Sequence, residues 1–123
     1  AGNSSSFADR FVYRAFSETG KTASTRDVIT DFKHNNTLAL SDRIDLSLID
    51  ANASVANDQA FIWKGGGAFI SGLKGQLHFR LENSSNNALD KTIVEGDLNG
   101  DRIADFQIEL TGLKALAAAD FFL

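Results

Sequence analysis

The chain has 123 residues, enough for one domain with one modest core, and 43% are hydrophobic, which excludes a wholly disordered chain. A net charge of −4 and a pI of about 5, with no long run of Lys or Arg, argue against nucleic acid or an anionic membrane as partner, and no apolar run is long enough to span a bilayer. Cysteine, proline and methionine are absent. A small secreted domain without disulfides needs another staple, and a metal is the usual one; folding meets no disulfide or prolyl step. The lack of Met points to a piece of a longer protein, and Ala1–Ser6 has no signal-peptide pattern.

Residues 1–6 read as a frayed polar start. Phe11, Val12, Tyr13 and Phe16 predict a strand over Phe11–Phe16, buried on much of both faces. A polar loop at 17–24 leads to a short strand, Asp27–Phe32, and a second loop carries His34. In Ser41–Asp50, Ile44, Leu46 and Leu48 alternate but Ile49 breaks the pattern, so a strand entering a helical turn is expected. Phe61-Ile62-Trp63, a turn at Lys64–Gly67 and a return at Ala68–Ile70 predict a hairpin. Gln76–Glu82 alternates, with Leu77, Phe79 and Leu81 expected inside and Gln76, His78, Arg80 and Glu82 outside. Thr92–Glu95 and Phe106–Leu110 predict an antiparallel pair, and the Ala-rich stretch 113–120 a short helix, placed at Leu113–Ala119. The expected fold is all-β: short antiparallel strands in a sandwich or β-roll end, with a small helix near the C-terminus. No internal repeat is visible.

The stretch between that last strand pair, Gly96–Phe106, organises the rest. Asp97, Asn99, Asp101 and Asp105 place side-chain oxygens at positions 1, 3, 5 and 9 of a loop. Calcium takes 6–8 oxygens, and a loop presenting alternate side chains inward can wrap it. Ile103, at position 7, is expected to give its backbone carbonyl while its side chain faces the core. Three carboxylates so close repel one another unless a cation sits among them. The competing reading is an acidic turn held by local aspartate hydrogen bonds. Arg102 stands at position 6, where a twelve-residue calcium loop has Gly and where a non-Gly residue held left-handed costs about 1 kcal/mol or more, and Ile108 at position 12 replaces a bidentate Glu. Water must then complete the shell, and affinity should fall near the weak, extracellular end, about 0.1–1 mM.

Other constellations are weaker. His34 and His78 form no His-Glu-x-x-His, and His78 reads as a plain surface residue. No Gly-x-Ser-x-Gly occurs, so no serine triad is expected. Gly65-Gly66-Gly67 reads as a turn, lacking the Lys-Ser/Thr partner of a phosphate loop. Asp27, Asp31, Asp42 and Asp45 either hold a second calcium or, the preferred reading, cap turns and solvate strand edges. Trp63 reads as core or a half-buried anchor, with sugar stacking as the alternative.

Taken together, Asp9-Arg10-Phe11-Val12-Tyr13, Asp27–Phe32, Asp42–Ser47, Gln59-Ala60-Phe61, Gly75-Gln76-Leu77 and Gly96–Asp101 through Ala104-Asp105-Phe106, in that order, resemble the C-terminal domain of serralysin-type secreted metalloproteases and related RTX proteins. The resemblance spans nearly the whole chain, with residues 1–16 as the end of a preceding β-roll whose Gly-Gly-x-Gly-x-Asp repeats are absent here. It implies export by a bacterial type I ABC exporter, calcium-assisted folding outside the cell, and an upstream β-roll and catalytic domain in the parent chain. It also implies an uncleaved C-terminal signal, here Asp120-Phe121-Phe122-Leu123. The expected function is a non-catalytic, calcium-binding module for secretion and extracellular folding of a larger protein, a zinc metalloprotease foremost. The alternatives are an extracellular polysaccharide- or protein-binding module of an RTX enzyme or adhesin, and a part of an enzyme's substrate surface.

Overall fold

The structure is a computed structural model, and it describes residues 10–20, 22, 24–30, 32, 42–52, 54, 59–85 and 89–123. Among the described residues eight strands form two sheets. The first has the order β1 (Arg10–Val12), β3 (Arg43–Asp45), β8 (Phe121–Phe122), all parallel. The second runs β2 (Asp27–Ile29), β7 (Phe106–Thr111), β6 (Lys91–Asp97), β5 (Gln76–Glu82), β4 (Ile62–Trp63). Its outer pairs are parallel and its two inner pairs, β5–β6 and β6–β7, antiparallel.

The all-β class is as expected; strand direction is not, since four of the six pairings are parallel. The expected hairpin at 61–70 is one cause. Parallel strands need a crossover of about a dozen residues, and loop 64–75 supplies it between β4 and β5. Residues 68–70 form no strand; the buried Gln76 amide holds them instead, accepting from Ile70 N at 2.7 Å and donating to Ile70 O at 2.9 Å. That task puts Gln76 inside. Leu81, expected inside, is 49% exposed because β4 reaches only as far as Leu77 and covers nothing beyond it.

β6 is the central strand, and its β-branched run Thr92-Ile93-Val94 suits burial on both faces. Val94, Phe106, Ile108, Leu110 and Leu77 join Ile44 and Phe121 of the first sheet in one core, so both sheets share it. Trp63 is half-buried between them, its ring 6.0 Å from Phe79 and 4.9 Å from Phe121. That is the anchor reading: the indole stacks on Phe79 and meets Phe121 at a tilt of 44°. Gly96 is needed opposite Phe106, where a Cβ would come within 2.2 Å of the ring.

Local departures have local causes. β1 stops at Val12, and Phe16 opens a 3-10 turn, 46% exposed, while Tyr13 goes inside. β2 ends at Ile29. After β3 a turn closed by Ile49 N to Leu46 O at 3.0 Å turns Leu48 out and Ile49 in. The expected helix at 113–119 shrinks to a 3-10 turn, Ala118–Asp120. Short helices are marginal without a wide apolar face, and Lys114 N donates to Thr92 Oγ1 at 2.8 Å, tying the segment extended against β6. No helix among the described residues is long and apolar enough to cross a membrane.

Candidate metal centre

β6 and β7 run antiparallel, and the acidic loop joins them as expected. Asp97, fully buried, ends β6, and Asp105 precedes β7, so the two rigid strands fix the loop's ends. One ligand oxygen from each of Asp97, Asp101 and Asp105 lies within 4.8 Å of the others. Oxygens on opposite sides of one calcium stand about 4.8 Å apart, twice the usual bond length, so the triad fits a single coordination sphere.

The same aspartates also hold the turn. Asp97 Oδ1 accepts from Asn99 N at 3.2 Å and Gly100 N at 2.8 Å, and Oδ2 from Arg102 N at 2.8 Å. Asp101 Oδ1 accepts from Ile103 N at 2.9 Å and Asp105 Oδ2 from Leu98 N at 2.7 Å. Both sequence readings of the loop therefore find support, and they are compatible, since each carboxylate oxygen has more than one acceptor direction. Asn99 uses Oδ1 to accept from Asp101 N at 3.2 Å. Asp101 Oδ2 and Asp105 Oδ1 keep no protein partner among the described residues, so both could accept a cation.

Gly100 and Arg102 both have positive φ, 80° and 66°. Arg102 thus bears the strain its position implied. Gly100 has a second reason: a Cβ there would lie 2.9 Å from Gly72, whose N–H donates to Gly100 O at 2.8 Å. The crossover loop is thereby pinned to the acidic loop, and again by Gly75 N to Asp97 O at 2.9 Å. One expectation fails: the Ile103 side chain is 66% exposed, not in the core, because the left-handed residue before it turns the chain outward.

Among the described residues the second acidic group, Asp27, Asp42 and Asp45, forms no metal-competent cluster. Asp31, like His34, lies outside the described residues. Asp45 is buried against Arg10 and accepts from Ser47 N at 2.9 Å. Burial pushes the Asp45 carboxyl up, but the Ser47 bonds and Arg10 outweigh it and hold it below the ordinary range. Asp27 instead bonds Tyr13, whose phenol is raised chiefly by burial and then by Asp27. The triad at 97, 101 and 105 is the one metal-competent group among the described residues.

Sequence reasoning missed a polar network on the other face of the five-stranded sheet. His78 is not a plain surface residue: its side chain is 12% exposed, its ring stacks 3.9 Å from Phe69, and Nε2 lies 2.8 Å from Glu95 Oε1. Glu95 Oε2 accepts from Gln107 Nε2 at 2.6 Å, Gln107 Oε1 from Arg26 Nη1 at 3.0 Å, and Arg26 pairs Glu109 at 2.7 Å. Burial pushes Glu95 up, but the His78 bond, Arg80 and Gln107 hold it below the ordinary range. His78, Glu95 and Gln107 form one cross-strand row, a signal available only once the register is known.

The expected C-terminal signal is folded in. Asp120 and Phe121 are buried, Leu123 packs against the core, and the Phe122 ring lies beneath the Arg10 and Arg43 guanidinium groups.

An all-β module whose central strand pair carries a carboxylate-lined loop is the class that fold and site define. The chain matches the family model described as Peptidase M10 serralysin C terminal over residues 5–123, and it belongs to that family. No curated protein matches it.

Proposed function

We propose that this chain is a calcium-binding, non-catalytic C-terminal module that serves type I secretion and extracellular folding of a larger secreted protein, a zinc metalloprotease. The observation that carries the reading is the carboxylate triad on the β6–β7 loop, in a chain of the serralysin C-terminal family. Asp97, Asp101 and Asp105, with Asn99 and the Ile103 carbonyl, would hold the ion. Bound calcium supplies positive charge that relieves the repulsion among these carboxylates. The loop then fastens β6 to β7 and, through Gly100 and Asp97, the crossover loop. Where calcium is scarce the carboxylates repel, which keeps the chain open for an exporter that reads Asp120–Leu123 before folding.

A ligand bound only by the folded state raises stability by mass action, about 2.7 kcal/mol at a hundredfold excess over Kd. Calorimetry should show a Tm that climbs with millimolar calcium in the native chain. Asp101→Ala, which removes an exposed carboxylate at the middle of the loop, should lose most of that gain. A Tm indifferent to calcium up to several times the expected Kd of about 1 mM would refute the metal reading.

A further inference from the structure

Beside the acidic loop a cleft of about 600 Å³ opens, walled by four separate segments. Its size is that of a small-molecule site. Phe16, Asp50, Asn52, Lys74, Leu98 and Asn99 give it its chemistry. Asn52, Asn99 and Asp50 are each held by backbone N–H groups and left with an atom to spare. Asn52 Oδ1 accepts from Ser54 N at 3.1 Å and Asn99 Oδ1 from Asp101 N at 3.2 Å, so each amide nitrogen is left to donate. Asp50 Oδ1 accepts from Asn52 N at 3.1 Å and Gln59 N at 3.0 Å, which leaves Oδ2 to accept. Lys74 makes no ion pair among the described residues. Donors and acceptor are therefore oriented before any ligand arrives, which lowers the ordering cost of binding.

Phe16 supplies the apolar half. It is 46% exposed and has no aromatic partner among the described residues. Asp50 disfavours an anion and Lys74 a cation, while Asp105, which also lines the cleft, spends its charge on the calcium of the proposed site, a reading on which this inference rests; the complementary ligand is then neutral. It must present hydroxyls that both donate and accept, around one flat apolar face. We propose that the cleft binds a neutral saccharide, its ring face on Phe16 and its hydroxyls on Asn52, Asn99, Asp50 and Lys74. This goes beyond the export and folding role, and it moves the sugar platform from Trp63, which packs inward, to Phe16.

The test is titration of the calcium-equilibrated chain with cellotetraose, chitotetraose and maltotetraose, followed by amide NMR, with tetragalacturonate as the anionic comparison. At least one neutral tetrasaccharide should shift lining resonances with a Kd of about 1 mM or tighter. Asn52→Asp keeps the oxygen that accepts from Ser54 and replaces the donor with a charged acceptor. It and Phe16→Ala should each weaken binding by about tenfold, or 1.4 kcal/mol, with Tm unchanged. The proposal is overturned if no neutral tetrasaccharide perturbs these residues, if binding survives both substitutions, or if tetragalacturonate binds more tightly.

Discussion

His78 faces two acceptors: Nδ1 lies 2.8 Å from Gly67 O and Nε2 lies 2.8 Å from Glu95 Oε1. A neutral imidazole carries one N–H and can satisfy only one of them, so this geometry calls for the imidazolium. The electrostatics agree: burial pulls the His78 pKa down and Arg80 opposes protonation, but the Glu95 and Gly67 hydrogen bonds and the Glu95 charge carry it above its ordinary value. A folded pKa above the unfolded one gives stability that is complete below about pH 6.5 and lost as pH rises through the folded value. The loss is that of one charge-assisted hydrogen bond, about 1.5–3 kcal/mol, since His78 and Glu95 are only 12% and 11% exposed. Glu95, whose folded pKa is lowered, has the opposite sign: its share is lost as pH falls through its folded value, so stability peaks in between. Urea unfolding at saturating calcium from about pH 6 to pH 9 should show this decline in the native chain, and His78→Gln should flatten it. The two curves should converge at the alkaline end. Equal slopes in both proteins would refute the imidazolium assignment.

Arg102→Gly should stabilise the chain by about 0.5–1 kcal/mol, because removing a Cβ from a left-handed position outweighs the added entropy of glycine when unfolded; the urea midpoint should rise without a change of slope. Glu109→Leu leaves the Arg26 guanidinium, 3% exposed, without its carboxylate and should cost about 3–5 kcal/mol. Pairing it with Arg26→Met should recover most of that loss in the same unfolding assay.

How much the sequence revealed depends on where each signal resides. The acidic loop was legible because its chemistry is local: four oxygen-bearing side chains at fixed spacing announce both the turn and a carboxylate group able to hold a metal, and β6 and β7 flank it as alternation predicts. The Arg102 strain was legible for the same reason. Parallel pairing was not, since nothing within Phe61–Ile70 distinguishes a hairpin from one arm of a crossover; the deciding contact is the Gln76 amide reaching back to Ile70. His78 was misjudged through the same gap. Alternation puts it on the outward face, and so it is, but Phe69, Glu95 and Gln107 cover that face from three other segments. Phe16 failed in the other direction: an aromatic in an apolar run reads as core, and only the early end of β1 turns it out.

The C-terminus joins the folding problem to the export problem. β8 completes a parallel sheet whose members come from residues 10–12, 43–45 and 121–122, so that sheet cannot finish until the last residues are available. Contacts so far apart in sequence form slowly, which on the proposed export role would leave the chain open while its end is read. The same placement decides which experiment is informative. Deleting 120–123 removes β8 together with any signal, and Asp120→Lys forces a cation into a site 2% exposed; either would reduce secretion through misfolding alone. Asp120→Asn is the cleaner change, because its amide oxygen can still accept from Ala117 N, as the carboxylate does at 2.7 Å, while the charge is gone. Fused to a slow-folding passenger in cells with a type I exporter, this variant should keep its calcium-saturated Tm and release less passenger into the medium. Undiminished release at unchanged Tm would mean that the Asp120 charge serves packing and not export.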